Sequence, residues 1–415
     1  MHSALIALLA IPLLGAGGVR GNMVPLQDAS CDLPKELSSV TGHALFRYIV
    51  SPDGSVGDVV EVYLTSVPPS RKDAFSQALR SCLEGWHYKP AQYSGIPVPV
   101  QMLMAFHYFE PTFHGAPLVD LPDGKTIPLR HFEIMREEKL NLARRLLDGP
   151  EYAEISRGGW TLRTNVRSDQ REELLSAIDR TQRRFGSVFP NALSVPNSSP
   201  LVVLLFRNED QFNQVAAFDN VLRMKGFIAG QYSPQEHTAY ASLGDQPIPM
   251  VVSTLVHETA HHLIHQRLIK EPRYPPFWVN EGLATFMELL CAEESSALSC
   301  FARGEQRDGA YRWRARGTVY LNAVGNKRPD LRAFLAGSSE VGSIPADVAY
   351  GLSWLLVHFM INGENGIHRE RLDKWLLTDA DGHHGESILA ALGLTAEELD
   401  IRLQKHRKKL LKAAY

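Results

Sequence analysis

Two histidines four residues apart enclose a glutamate in His257-Glu258-Thr259-Ala260-His261. A further glutamate, Glu281, follows 20 positions after His261 in Phe277-Trp278-Val279-Asn280-Glu281-Gly282-Leu283-Ala284. On an α-helix a spacing of four places both imidazoles on one face, one turn apart. The flanking residues are helical in pattern: Val252, Leu255, Val256, Thr259, Ala260 and Leu263 fall on one side, and Thr254, His257, Glu258, His261 and His265 on the other. Pro247 and Pro249 lead into the first turn, while Pro272, Pro275 and Pro276 stop the helix from running into the next element. A second helix over roughly 279–294 must then fold back, bringing Glu281 to the paired histidines.

Two imidazoles and one carboxylate on facing helices are the ligand set of a zinc ion with an open fourth position, the mark of a catalytic rather than a structural site. The spacing therefore predicts Zn2+ on His257, His261 and Glu281. Glu258 lies beside the ion without binding it. Zinc lowers the pKa of a water from about 15.7 to about 7, and a neighbouring carboxylate can take that proton and deliver it to a leaving amine. That is hydrolysis of a peptide bond. The five-residue motif alone also fits an ordinary amphipathic helix; the Asn-Glu-Gly-Leu-Ala run downstream is what makes the metal reading specific.

With these residues in place, the region resembles the gluzincins, the peptidase MA-like class of thermolysin-like proteases and zinc aminopeptidases. The resemblance implies two ligand helices facing each other across a cleft and an antiparallel edge strand, just before the first helix, that binds substrate backbone. His237 to Leu243, centred on Tyr240, occupies that place. It also implies a tyrosine or histidine on a later helix as oxyanion donor, and Tyr350 in Asp347-Val348-Ala349-Tyr350-Gly351-Leu352-Ser353-Trp354 fits. There are departures. Thermolysin-like enzymes carry an aspartate four residues after the glutamate ligand to orient a histidine, whereas this chain has Thr285, with Glu288 one turn further on as a substitute. The glycine-x-methionine-glutamate-asparagine run of zinc aminopeptidases is replaced by Gly226-Phe227-Ile228-Ala229-Gly230-Gln231-Tyr232, which favours endopeptidase over aminopeptidase action. Metzincins are excluded by Ile264 and Arg267 at the positions that need glycine and histidine. His262 and His265 read as bystanders, His265 at the cleft rim, and His383-His384 as part of a solvated turn.

A chain of 415 residues with 44% hydrophobic content can bury more than one core, and two or three domains are expected. A net charge of −3 and no basic stripe beyond Lys405-His406-Arg407-Lys408-Lys409, a solvated helix face, argue against nucleic acid as a partner. The apolar run Ala4 to Leu14, followed by Gly15-Ala16-Gly17-Gly18, reads as a secretory signal over residues 1–22, although its first residues lack lysine and arginine. No later stretch reaches about 18 apolar residues, so the mature chain is expected without a transmembrane segment. Export to the periplasm or the medium follows. Four cysteines without a close metal-binding pair suit an oxidising compartment, with local disulfides Cys31–Cys82 and Cys291–Cys300.

Residues 28–111 alternate as strands around Leu45, Arg47, Ile49 and then Val56, Asp58, Val60, Val62, joined through Asp53-Gly54. A helix over 71–84 and a strand over 98–109 follow. This ββαβ order gives a small sheet with one covering helix. Its segments Ser51-Pro52-Asp53-Gly54-Ser55-Val56-Gly57-Asp58-Val59, Gly85-Trp86-His87-Tyr88-Lys89-Pro90-Ala91 and Gly95-Ile96-Pro97-Val98 resemble the C-terminal domain of TonB-type energy transducers, which implies protein binding by strand addition at a sheet edge. Residues 112–150 are a connector and a charged helix over 129–147. The peptidase domain then spans 151–415, with a strand, helix, strand order over 160–206 and a mainly helical second half that includes 345–361 and 396–412. The predicted class is α+β: the small ββαβ domain followed by a two-lobed zincin-like metallopeptidase domain. Expected partners are a peptide or protein substrate and a periplasmic protein held by the N-terminal module. Two rivals are a non-catalytic TonB-like interaction protein and a pseudoprotease scaffold.

Overall fold

The computed structural model describes residues 5–12, 19–20, 31, 33–37, 40–93, 96–108, 118–120, 126–190, 199–218, 230–267, 275–292, 313–326, 329–336, 344–378 and 385–414. In chain order the first elements are β1 (Leu5–Pro12), β2 (Val19–Arg20), β3 (Gly42–Val50), β4 (Val56–Thr65), α1 (Lys72–Glu84), β5 (Ala91–Tyr93), β6 (Ile96–Val98), β7 (Val100–Tyr108), β8 (Leu118–Asp120), β9 (Thr126–Pro128) and α2 (Leu129–Leu147). Then come β10 (Ala153–Arg157), β11 (Trp160–Thr164), α3 (Arg171–Val188), β12 (Leu201–Phe206), α4 (Glu209–Phe218), β13 (Gly230–Ser233), β14 (Thr238–Ser242), α5 (Ile248–Arg267) and α6 (Phe277–Ala292). The remainder is helical: α7 (Trp313–Asn326), α8 (Leu331–Leu335), α9 (Ala346–Asn362), α10 (Arg369–Thr378), α11 (Gly385–Leu392) and α12 (Ala396–Ala414). The class is α+β, with sheet in the N-terminal region and a helical C-terminal half. Two compact units form: Met1–Tyr152 with Phe206–Ile228, and Ala153–Leu205 with Ala229–Tyr415.

The first unit is built on the sheet β1-β7-β3-β4. Along β3 and β7 the side chains alternate between two faces. Ala44, Phe46, Tyr48 and Val50, with Met102, Met104, Phe106 and Tyr108, pack against Phe75, Leu79 and Leu83 of α1. The other face carries Leu45, Leu103, Ala105, His43 and His107, all fully buried. One covering helix is therefore too few. Helix α4 packs on β7 and β3, and α2 packs on α4, because both strands are apolar on both sides and need two lids. Gly54, at φ +92°, supplies the left-handed corner of the β3–β4 connection; a Cβ there would stand 2.2 Å from the Tyr88 carbonyl oxygen. A disulfide joins Cys31 to Cys82 of α1, with the Cα atoms 5.8 Å apart. The cysteine pair 291 and 300 lies outside the described side chains. The apolar segment Leu5–Pro12 differs from a signal helix: it is a strand, paired antiparallel with β7 from Leu5↔His107 to Pro12↔Val100. An extended apolar run beside an open sheet edge satisfies its backbone groups there.

In the second unit the strand order is β10-β11-β12-β14-β13. Strands β11 and β12 are parallel and are linked through α3, whereas β13 and β14 form an antiparallel hairpin. Leu162, Leu201, Val203, Leu205, Ala239 and Ala241 of the sheet share one core with Val251, Val252, Leu255 and Val256 of α5. The helical half extends the same core, and α9 lies against both α6 and α7. Strands β13 and β14, with α3 and α6, pack around α5.

Candidate metal centre

Helix α5 begins after Pro247, whose carbonyl accepts the Met250 N–H at 2.8 Å. Its apolar stripe is buried in the core, and the opposite face presents His257, Glu258 and His261. Helix α6 starts after the Pro275-Pro276 pair; the Pro276 carbonyl accepts from Val279 and Asn280 at 2.9 and 3.1 Å. Glu281 therefore sits in the first turns of α6, where α6 meets α5. The ligand atoms of His257, His261 and Glu281 all lie within 4.8 Å of one another, a set that can hold a metal ion. Both Nε2 atoms face one oxygen: Glu281 Oε2 is 3.2 Å from His257 Nε2 and 3.6 Å from His261 Nε2.

The remaining ring nitrogens are held in turn. Glu288 Oε2 is 3.2 Å from His257 Nδ1, and the Ser253 hydroxyl donates to the other oxygen of Glu288. Asn280 Oδ1 is 3.0 Å from His261 Nδ1, while its amide donates to Glu281 Oε1 at 3.1 Å. With Nδ1 of each ring paired to an oxygen, Nε2 is left to face Glu281. That is how ligand imidazoles are oriented in metal sites, so the donor set fits zinc in chemistry as well as in spacing. Thr285, at the position of the thermolysin-like aspartate, is buried beside the site. Glu288 carries the contact instead, since position 288 returns to the face of Glu281 after two turns. Asn280 escapes a sequence reading focused on ligands, although a polar residue directly before Glu281 in an apolar helix is a visible signal.

The electrostatics follow from burial and crowding. Burial lowers the pKa of His257, but its bonds to Glu281 and Glu288 and the charge of Glu258 outweigh that and push it up to about 10. At His261 burial wins, leaving it at about 4. Burial raises Glu281, yet the two histidines and a bond from Tyr350 bring it down to about 2. Glu258 is raised to about 8, first by burial and against the pull of His257, with the backbone N–H of Tyr232 donating to its carboxylate. A carboxyl near that value can exchange protons close to neutral pH. Tyr350 on α9 bonds Glu281 through its hydroxyl, and its ring lies 6.5 Å from that of His257 and edge-on to Phe277 at 5.5 Å. Its phenol is pushed well above the usual range, first by burial and then by the carboxylate charges.

The structure thus brings together all five residues singled out from the sequence: His257, Glu258, His261, Glu281 and Tyr350. The stretch His237 to Leu243 is not the edge strand that the resemblance implies. β14, which contains Tyr240, has β12 on one side and β13 on the other, so its backbone has no open edge. Tyr240 is buried and donates to Glu236 Oε2 at 2.6 Å. The edge is β13. Gly230 at its start abuts α5: a Cβ added there would lie 2.4 Å from Thr254 Cγ2 and 3.1 Å from Glu258 Cγ. His265 is not a ligand; it bonds Asn280 and packs on Tyr232, and burial lowers its pKa to about 3. His383, His384 and residues 226–229 lie outside the described residues.

No family model matches the chain. None of the curated proteins matches it either. Among solved structures it is similar to IMPa from Pseudomonas aeruginosa, determined in complex with an O-glycopeptide, at 12% sequence identity and a TM-score of 0.23. The alignment covers 95% of this chain and 45% of that one, so the chain spans less than half the length of that protein.

Proposed function

We propose that the protein is an exported zinc-dependent peptidase, more suited to internal than to N-terminal cleavage. The observation that carries this reading is the convergence of His257, His261 and Glu281 within 4.8 Å, together with a separate buried carboxylate, Glu258, one residue along the same helix. His257, His261 and Glu281 would hold the ion. When bound there, zinc polarises a carbonyl and makes a water acidic enough to give up a proton near neutral pH. Glu258 takes that proton on its carboxylate and returns it to the departing amine nitrogen. Its burial directly beside His257 and His261 places the carboxylate where it can serve both halves of the transfer. Tyr350 offers its hydroxyl to the oxyanion from the opposite helix, and Glu288 and Asn280 hold the two imidazoles in register. Strand β13, which among the described residues pairs only with β14, lies beside Glu258 and can pair with the backbone of an extended peptide. Export is supported by the Cys31–Cys82 disulfide. Among the described residues no helix is long and apolar enough to cross a membrane. The N-terminal sheet would serve as a protein-binding module for a periplasmic partner.

The test pairs metal analysis with peptide-library cleavage by wild type and Glu258→Gln. The expected result is one zinc per chain in both and a loss of about 10²- to 10⁴-fold in turnover for the variant. Equal cleavage by both would remove Glu258 from its role, and absence of bound zinc in the wild type would overturn the whole reading.

A further inference from the structure

His262 follows a ligand histidine, yet it points elsewhere: one residue along an α-helix is a rotation of about 100°, which turns it from the ligands toward the sheet. There it is fully buried, and its Nδ1 lies 3.1 Å from the hydroxyl of Tyr232. The Tyr232 ring meets that of His262 edge-on at 5.7 Å and lies 5.7 Å from His265. Tyr232 belongs to β13, a strand of four residues that among the described residues has a ladder on one side only. So short an edge strand has few backbone bonds and opens easily; a buried side-chain anchor decides where it stays. The same residue supplies the backbone N–H that Glu258 accepts.

We propose that Tyr232 and His262 form a latch that fixes strand β13, and with it the Tyr232 amide, against Glu258, making His262 and the Tyr232 side chain positioning residues for the general base. This rests on the peptidase reading above and adds to it the device that aims its proton-transfer group. Gly230 completes the arrangement by omitting the Cβ that would wedge the strand away from α5.

Hydrogen exchange at the Tyr232 amide, read on the full-length protein with and without zinc, tests the latch directly. Tyr232→Phe and His262→Leu should each speed exchange by about tenfold, the worth of one hydrogen bond. Their combination should add little to either alone. His262→Asn keeps a polar atom near the place of Nδ1 and should restore the wild-type rate. In the peptidase assay the first two variants should lower kcat by about tenfold with KM and zinc affinity within about twofold of wild type. Unchanged exchange in both variants overturns the proposal, and so does a parallel fall in zinc affinity, which would show the pair acting on the ligand helix instead. A wild type that takes up zinc and cleaves no peptide overturns the peptidase reading, while the exchange rates still decide the latch.

Discussion

Gly282 stands next to Glu281, and its lack of a side chain sets how closely α6 and α9 approach. A Cβ at this position would lie 2.6 Å from the Ser353 carbonyl oxygen, 2.9 Å from the Ser353 carbonyl carbon and 2.9 Å from Val357 Cγ2. Comfortable contact begins at about 3.5 Å, so Gly282→Ala overlaps its neighbours by roughly 0.6 to 0.9 Å. Two of the three atoms are helix backbone and cannot rotate aside. Alanine gains about 1 kcal/mol in helix propensity over glycine, whereas overpacking of this kind costs about 1–3 kcal/mol. With the clash against backbone the upper half of that range applies, and a net loss of about 1–2 kcal/mol remains. In a unit of this size that lowers Tm by roughly 2–8 °C. The relief is a retreat of α9, which carries Tyr350 away from Glu281, so turnover should fall as well. Scanning calorimetry of the zinc-free protein reads the first effect and peptide cleavage the second. Adding Val357→Ala should recover less than half of the lost stability, because it removes only the yielding contact. A Tm equal to or above that of wild type would refute the packing argument.

Replacing Glu288 by Gln keeps the shape but removes the charge that faces His257 Nδ1. Zinc affinity, measured by chelator competition, should fall about 10- to 100-fold with the circular-dichroism spectrum unchanged; an affinity within twofold of wild type would make Glu288 a bystander. In the first unit His43 Nδ1 and His107 Nδ1 are 3.0 Å apart, and His107 Nε2 is 2.6 Å from the Phe218 carbonyl oxygen. Burial lowers their pKa values to about 4 and about 3, from the 6.5 of the unfolded chain. Both folded values lie below the unfolded one, so the unfolded chain takes up protons first: the stability is fully present above pH 6.5 and is lost as pH falls toward 4. Between pH 6.5 and 5 this amounts to at most about 2 kcal/mol per histidine. Exchange at the amides of β3 and β7 should accelerate accordingly, and a flat response would count against the neutral pair. Removing the Cys31–Cys82 bridge, whose ends are 51 residues apart, should cost the first unit about 4 kcal/mol in denaturant titrations; a loss under about 1 kcal/mol would place the bridge among the dispensable ones.

The parts most legible in the sequence are those where one periodicity or one spacing determines the answer. The His-Glu-x-x-His spacing and the proline punctuation around it locate α5 and α6. The charged helix over 129–147 appears as α2 with the same limits, because its apolar positions recur at helical intervals and Pro128 starts it. Strand β13 is less legible: Gly230-Gln231-Tyr232-Ser233 has no alternation to read, and only its pairing with Thr238–Ser242 makes it a strand. A hairpin shows which of its arms is outermost only when the neighbouring strands are known, so His237 to Leu243 reads as an edge strand from sequence whereas β14 is interior in the fold. The second covering layer of the first sheet is hidden for a different reason. Helix α4 is supplied by Glu209–Phe218, far beyond both strands it covers, Gly42–Val50 and Val100–Tyr108, and no local pattern records such a long-range contact.

Charge balance explains why so polar a cluster is stable between two apolar helices. Glu258, Glu281 and Glu288 are all buried or nearly so, and three carboxylates in one core would cost several kcal/mol each without compensation. The protein compensates in two places: His257 stays charged up to about pH 10 and Glu258 holds a proton up to about pH 8. Those two protons balance two of the three negative charges, which is also what one divalent cation on His257, His261 and Glu281 would do. The two protonations and the ion are alternatives for the same electrostatic requirement. An arrangement serving structure alone would reach lower energy with apolar side chains of similar volume at 258 and 288. That the chain retains both carboxylates, and gives one to His257 and the other to the Tyr232 amide, points to a site organised around a cation and a proton.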